Sequence, residues 1–292
     1  MKAGEGIWLR LRVEGIPSER LHLLAEALRA LGARGLTREG SGVTAFLPAG
    51  GMDRGWREDL LAEARLRIRV ATSVVDPLIQ VEEASQDELA RRWSAAAPPG
   101  PVSPRLTLVP SAVEGSGDPG VIQVPPGPAF GDGTHPSTRL ALRLLDRHHP
   151  GRGLILDLGT GSGVLAVAAL RLGAERVTAL EADPPSVEHA RETFRRNRVM
   201  GAVDLREIRA GPADLRRLPP MDGVLANVEA PVLEPLLPSL LALVKPGGWL
   251  LSAGLGREDE GWFEAQVTAA GARVRHRLQE GGWVAYWVER RV

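Results

Sequence analysis

Residues 155–163 read Ile-Leu-Asp-Leu-Gly-Thr-Gly-Ser-Gly, and Val164 opens a run of small apolar residues that continues to Leu170. A short apolar run ending on an acid reads as a buried strand. The glycines after it read as a tight turn, and the apolar run as a helix. A second apolar strand, Val177–Leu180, stops on Glu181. That acid follows Gly159 at the spacing of roughly 20 residues seen where a carboxylate meets a ribose. The segment predicts one βα unit and the next strand of a nucleoside-binding α/β domain.

The glycines fall at 159, 161 and 163, a GxGxG pattern. The dinucleotide fingerprint needs a small residue at position 164, where this chain has valine, so the variant points away from NAD and toward S-adenosylmethionine. No arginine or lysine stands beside Glu181 to hold a 2′-phosphate, which argues against NADP. Glycines let the backbone turn sharply and let a ligand lie against it. The helix after them offers unpaired N–H groups and a positive dipole end to a carboxylate. Glu181 can accept both hydroxyls of a ribose. Asp157 is expected to accept loop N–H groups or cofactor groups. Asp183 either sits near adenine or caps the helix that begins at Pro184. The plain alternative for the whole motif is a strand-to-helix turn without a ligand.

The 292 residues suffice for one large domain or two, and the hydrophobic share of 43% allows a sizeable core. No apolar run is long enough for a transmembrane helix, and the first residues lack the apolar stretch of a signal peptide. There is no cysteine, so disulfides, thiolate zinc sites and cysteine nucleophiles are excluded. A cytoplasmic location is expected. The formal charge is zero, without a long basic block, so direct nucleic-acid binding is not expected. His148 and His149 precede Pro150 in a predicted loop, with no ligand cluster at metal spacing; they are read as solvated, and no metal site is predicted. The tryptophans are scattered and are assigned to core and interface.

Three regions are expected: residues 1–82, a linker over 83–104, and residues 105–292. In the first, Ile7, Leu9, Leu11 and Val13 alternate as in a half-buried strand. Ser18 is placed to cap a helix carrying Leu21, Leu24, Leu28 and Leu31 and ending at Gly32. Gly40-Ser41-Gly42 predicts a hairpin turn before the strand Val43–Leu47. A helix over Asp53–Leu66 and a strand over Ile68–Val75 complete a βαββαβ order, the ferredoxin-like α+β pattern. No catalytic motif lies in it, so substrate recognition and a packing or dimerisation role stay equally open. Residues 85–97 predict a short helix with Trp93, and the prolines after it a stiff linker.

Strands are expected at 106–109 and 121–124. The chain then alternates: helix 137–147, strand 154–158, helix 164–172, strand 177–181, helix 185–198, strands 203–208 and 223–227, helix 232–244, strand 249–253 and helix 259–270. Arg273–Leu278 and Trp283–Glu289 flank Gln279-Glu280-Gly281-Gly282 as a terminal hairpin. Parallel strands that end in an antiparallel hairpin are the layout of a Rossmann-like α/β fold.

A second constellation occupies 126–139, Pro-Gly-Pro-Ala-Phe-Gly-Asp-Gly-Thr-His-Pro-Ser-Thr-Arg. A segment so rich in glycine and hydroxyls is expensive to order unless it contacts something. The helix after it is expected to return it to the cofactor edge of the sheet. His135 is otherwise a surface histidine, and Ser137 and Thr138 are otherwise helix caps.

Together these segments resemble the ribosomal protein L11 methyltransferase family, and the resemblance covers nearly the whole chain. That family's Phe-Gly-Thr-Gly-x-His-x-Thr-Thr signature reads Phe130-Gly131-Asp132-Gly133-Thr134-His135-Pro136-Ser137-Thr138 here. Its glycine loop reads Asp157 to Gly163, its ribose-binding acid and neighbours Glu181-Ala182-Asp183-Pro184, and its Ala-Asn-Ile/Leu motif Ala226-Asn227-Val228. Asp132 stands where the family has threonine, Glu181 where it has aspartate, and Glu229 and Pro231 follow Asn227 where smaller or apolar residues are commoner. The resemblance implies a class I methyltransferase domain behind the small N-terminal domain, with S-adenosylmethionine as cofactor. It implies cofactor contacts from Thr138, Gly159, Glu181 and Asn227, and Phe130, Gly131, Asp157, Gly161 and Asp183 are candidate cofactor-binding residues beside them. It also implies that the N-terminal domain grips ribosomal protein L11, whose lysine side chains and N-terminal amine are methylated. A monomer is expected.

Asn227 is the candidate catalytic residue. It ends a predicted strand, where α/β sheets bind ligands, and its side-chain oxygen could accept protons of an amine and aim its lone pair. The alternative is a turn residue that closes the strand. Two other functions stay open: a methyltransferase of the same fold acting on another protein or a small molecule, and a cofactor-binding module without turnover.

Overall fold

The structure is a computed structural model. It describes residues 8–17, 20–33, 35–39, 42–48, 56–84, 100–110, 120–125, 127, 129–149 and 151–291. The chain divides into two compact units, Met1–Trp93 and Ser94–Val292. The expected cap Ser18, the turn residues Gly40 and Ser41 and the helix at 85–97 lie outside the described residues.

The first unit contains β1 (Trp8–Glu14), α1 (Leu21–Ala30), β2 (Gly35–Glu39), β3 (Gly42–Pro48), α2 (Trp56–Thr72) and β4 (Leu78–Ala84). The strands form an antiparallel sheet in the order β2-β3-β1-β4. Alternate β1 residues Leu9, Leu11 and Val13 are buried against Leu24 and Leu28 of α1 and Ala64 and Ile68 of α2. The expected strand at 68–75 is wrong. Residues 68–72 are the last turn of α2, and the fourth strand begins at Leu78. Ala64, Ile68 and Thr72 are buried at spacing four, a helical stripe. That burial outweighs the strand preference of Ile68 and Val70.

The second unit begins with a small sheet of β5 (Gly100–Pro101), β6 (Thr107–Pro110) and β7 (Val121–Val124). Next come α3 (Pro136–His148), β8 (Leu154–Leu158), α4 (Val164–Arg171), β9 (Arg176–Glu181), α5 (Pro184–Arg196) and β10 (Val203–Glu207). These are followed by α6 (Pro212–Leu215), β11 (Met221–Asn227), α7 (Ala230–Leu233), α8 (Leu237–Leu243) and β12 (Val244–Gly256). The unit ends with α9 (Glu260–Ala269), β13 (Ala272–Glu280) and β14 (Trp283–Arg290). The seven-stranded sheet has the order β10-β9-β8-β11-β12-β14-β13. Its first four pairings are parallel and β14 is antiparallel to both neighbours, so the sheet is mostly parallel. This is the Rossmann-like class I methyltransferase layout. The order reverses between β8 and β11, and a crevice at such a switch point, beyond the strands' C-terminal ends, is where open α/β sheets bind ligands.

The helix expected over 232–244 is instead the two short helices α7 and α8. Pro235 and Pro238 have no amide hydrogen to donate four residues back, so one continuous helix cannot form. On the face covered by α3, Leu140, Leu144 and Leu145 are buried with Trp249, Leu251 and Trp287 of the sheet. Trp249 and Trp287 stack with centroids 4.4 Å apart, so two of the tryptophans taken as scattered are one pair. The His148 ring lies on His276 at 4.0 Å, and His149 meets Trp249 edge-on at 5.5 Å. These histidines are therefore packed rather than solvated, and burial lowers both pKa values, His149 to about 4. Among the described residues no group of three His, Asp or Glu could hold a metal ion, and no helix is long and apolar enough to cross a membrane.

Candidate functional site

The glycine loop leaves β8 at Leu158. The amides of Gly159 and Thr160 both donate to the Leu180 carbonyl, at 2.9 and 3.0 Å, which holds the loop over the end of β9. Gly159 and Gly161 have φ of +66° and +54°. A Cβ at Gly161 would lie 2.6 Å from the Phe130 carbonyl oxygen, and one at Gly159 would lie 2.7 Å from Val228 Cγ1. Glycine is thus required at both positions by conformation and by close approach.

The Phe130–His135 segment meets this loop directly. Ser162 donates from its amide to the Phe130 carbonyl at 2.8 Å and from Oγ to the Gly131 carbonyl at 2.8 Å. The two constellations, separate in sequence, are therefore one structure. His135, not Ser137 or Thr138, is the N-cap of α3: its Nδ1 accepts the Ser137 amide at 3.2 Å, and Pro136 takes the first helical position. Its ring packs between Phe130 (4.9 Å) and Trp283 (4.6 Å). Ser137 and Thr138 are fully buried inside the first turn.

Asn227 is the last residue of β11. Its Nδ2 donates to Thr138 Oγ1 at 3.5 Å, while its Oδ1 is buried and has no hydrogen-bond partner among the described residues. Glu181 ends β9. Its Oε2 accepts the Gly161 amide at 3.0 Å and its Oε1 accepts the amides of Ala182 (2.8 Å) and Asp183 (3.0 Å). Asp157 lies beneath the loop, 1% exposed, and accepts the Thr160 hydroxyl at 2.7 Å. Burial pushes its pKa up to about 7; the Thr160 hydroxyl opposes this and the nearby Glu181 charge adds to it. Asp183 caps α5, accepting the amide (3.1 Å) and hydroxyl (2.7 Å) of Ser186.

Three supports were not foreseen. His189 of α5 accepts the Ala129 amide at Nδ1 (3.2 Å) and donates from Nε2 to the Pro125 carbonyl (2.7 Å), anchoring the chain before Phe130. Asn197 exchanges hydrogen bonds with the Gln123 backbone at 2.9 and 2.7 Å, fixing β7 to the end of α5. Ser162 joins the two motifs. Each acts through partners remote in sequence, so no spacing marks it.

The model of the ribosomal protein L11 methyltransferase family matches residues 8–291. The chain belongs to that family. The L11 methyltransferase of Pelotomaculum thermopropionicum is 38% identical over 251 residues, covering 83% of this chain and 77% of the relative. That of Azotobacter vinelandii is 34% identical over 291 residues, covering 95% and 97%. Among solved structures, a ribosomal protein L11 methylase from Lactobacillus delbrueckii subsp. bulgaricus aligns with a TM-score of 0.60 at 26% identity, over 66% of this chain and 99% of the other.

Proposed function

We propose that this L11 methyltransferase family member is an S-adenosylmethionine-dependent N-methyltransferase acting on lysine side chains and the N-terminal amine of ribosomal protein L11. The observation that carries the reading is the buried, unpartnered Oδ1 of Asn227 at the switch point of the sheet. Leaving such an acceptor unsatisfied costs about 1–3 kcal/mol. An amine that donates to it on arrival removes that cost.

The residues present fit the cofactor. Glu181 ends β9 and the buried amide oxygen of Asn227 ends β11, and the glycine loop leaves β8, the strand between them, at the same edge of the sheet. Gly159 and Gly161 would line it, Glu181 would hold ribose hydroxyls, and Phe130, Gly131, Thr138, Asp157, Asp183 and Asn227 would complete the enclosure. When bound, S-adenosylmethionine supplies an electrophilic methyl group on a sulfonium sulfur.

The protein's task is to present a neutral amine, although a free lysine has a pKa near ~10.4. Thr138 accepts from the Asn227 amide nitrogen, which leaves Oδ1 as the acceptor open to an incoming amine. An N–H of the incoming neutral amine would donate to Oδ1, leaving the lone pair free to attack. The N–C bond would form as the sulfonium S–C bond breaks, the thioether would leave, and the alkylammonium product would lose its proton to solvent. No general base is required at the moment of transfer. Positioning of this kind can supply roughly 7–11 kcal/mol of a barrier. The N-terminal unit, with its own core, carries substrate recognition in this reading. The acceptor is L11 free or in the large subunit, met by a cytoplasmic monomer that uses no direct nucleic-acid contact. Incubation with isotopically labelled S-adenosylmethionine and ribosomal extract, followed by mass spectrometry of the labelled band, tests the substrate. Label on a different protein, or only on small molecules, would overturn it.

A further inference from the structure

Glu280 closes β13 at the tip of the terminal hairpin and has no part in the assignments above. Its Oε1 accepts Nε of Arg139 at 3.1 Å as well as Nη2 of the same guanidinium, and its Oε2 accepts Nη1 of Arg143 at 2.8 Å. The two arginines stand one turn apart on α3. Arg139 also donates from Nη1 to the carbonyls of Thr134 and, at 3.5 Å, Gly133. Arg143 donates from Nε to the Val102 carbonyl at 3.3 Å. One carboxylate thus ties the hairpin to the start of α3 and, through Arg139, to the segment that leads into His135. The planar guanidinium fork makes such multiple attachment possible, which a lysine could not reproduce.

The same two parts meet through rings. Trp283, paired with Glu280 across the two-residue turn, lies against His135, and His135 lies against Phe130. Phe130 leaves 51% of its surface exposed beside the glycine loop. Three residues beyond His135 is Thr138, the partner of Asn227. The turn at Gly281-Gly282 is also tied by the Arg257 amide, which donates to the Gly282 carbonyl at 3.2 Å. The arginines hold the Glu280 carboxyl below the ordinary glutamate range, Arg139 contributing most, so the clamp stays charged at neutral pH. Partly exposed ion pairs add little to global stability, so loss of this one acts locally.

We propose that Glu280 is a positioning residue for the methyl acceptor. Through Arg139 and Arg143 it holds the Trp283 hairpin against the Phe130–His135 segment, and the surface they form together docks the substrate protein beside the Asn227 crevice. This rests on the methyltransferase reading above. The test compares the full-length protein with Glu280→Ala, Glu280→Gln and Glu280→Asp in two measurements. One is hydrogen exchange without ligand; the other is steady-state methylation of purified L11 at saturating S-adenosylmethionine. Glu280→Ala should melt as the parent does, exchange amides at 130–135 and 281–284 about tenfold faster, and raise KM for L11 about tenfold with kcat changed little. Glu280→Gln should match the alanine variant, and Glu280→Asp should recover most of the parent behaviour. Parental exchange and KM in Glu280→Ala, a glutamine variant equal to the parent, or uniformly faster exchange with early melting would each overturn the proposal. If the parent leaves L11 unmodified, the substrate reading fails by itself, and the exchange measurement still decides whether the clamp exists.

Discussion

The carboxylate of Glu181 accepts the backbone amide of Gly161 at 3.0 Å, so the acid at the end of β9 is fastened to the glycine loop it faces. The Ala182 and Asp183 amides hold its other oxygen. Glu181 is therefore a loop anchor as well as the residue proposed to hold the ribose.

Glu181→Ala should weaken binding of S-adenosylmethionine by the value of charged hydrogen bonds, roughly 1.5–3 kcal/mol. It should also lower stability, because three backbone amides lose their acceptor. Calorimetry beside a denaturant melt separates the two effects. Unchanged affinity in a destabilised variant would restrict Glu181 to loop anchoring.

Asp157 should give stability an inverted pH dependence. Its folded pKa, about 7, lies above the ordinary aspartate value of 3.8. Between those values the folded chain holds a proton that the unfolded chain has lost. Its contribution is therefore full at low pH and lost as pH rises toward 7. Asp157→Asn should remove this component, so the parent-minus-variant difference in denaturant midpoint should fall from pH 4 to pH 7. A flat difference would place the Asp157 pKa near its ordinary value.

His189 should act in the opposite sense. Burial lowers its pKa below 6.5, against the Pro125 carbonyl and the Asp132 charge, which raise it. Below 6.5 the unfolded chain binds the proton first, so stability falls as pH falls through that window. A protonated Nδ1 also cannot accept the Ala129 amide. His189→Leu should flatten this dependence, cost about 1–3 kcal/mol through two orphaned backbone groups, and reduce cofactor affinity through the loosened Phe130 segment. Parental affinity in the variant would detach that segment from the cofactor.

The Trp249–Trp287 stack should matter to folding alone. Trp249 enters the sheet at the end opposite Asn227, as the pairing Gly223↔Trp249 and Asn227↔Ala253 shows. Trp287→Ala should cost about 3–5 kcal/mol and leave cofactor affinity in the remaining folded protein unchanged. A large affinity loss at a temperature where the variant is folded would contradict this.

What was legible in the sequence is what is local. Asp157 to Val164 carries its own turn, and Glu181 follows at a spacing fixed by one helix and one strand. The Phe130–Thr138 signature was legible as a motif, but its seat on Ser162 was not, because that contact joins segments 31 residues apart. The strand expected at 68–75 failed because β-branched residues there also satisfy a helical stripe, and tertiary burial chose the helix. The helix expected over 232–244 failed because its apolar spacing continues across Pro235 and Pro238, where the backbone lacks the amide hydrogens a continuous helix needs. Trp249 and Trp287 were read singly because strand register, which puts Leu251 opposite Trp287, is not written in composition. His189 and Glu280 have partners 60 to 141 residues distant and no neighbouring motif.

The central claim is that Asn227 aims the acceptor amine. Single-turnover methylation of purified L11 by Asn227→Ala at saturating S-adenosylmethionine, run beside a melting curve, tests it most directly. The account predicts a rate constant at least about a hundredfold below the parent, since mispositioning alone can cost that much. Stability should stay within about 1 kcal/mol, because the side-chain hydrogen bond it loses among the described residues is a long one to Thr138. A variant that melts normally and methylates L11 at the parental rate would contradict the account.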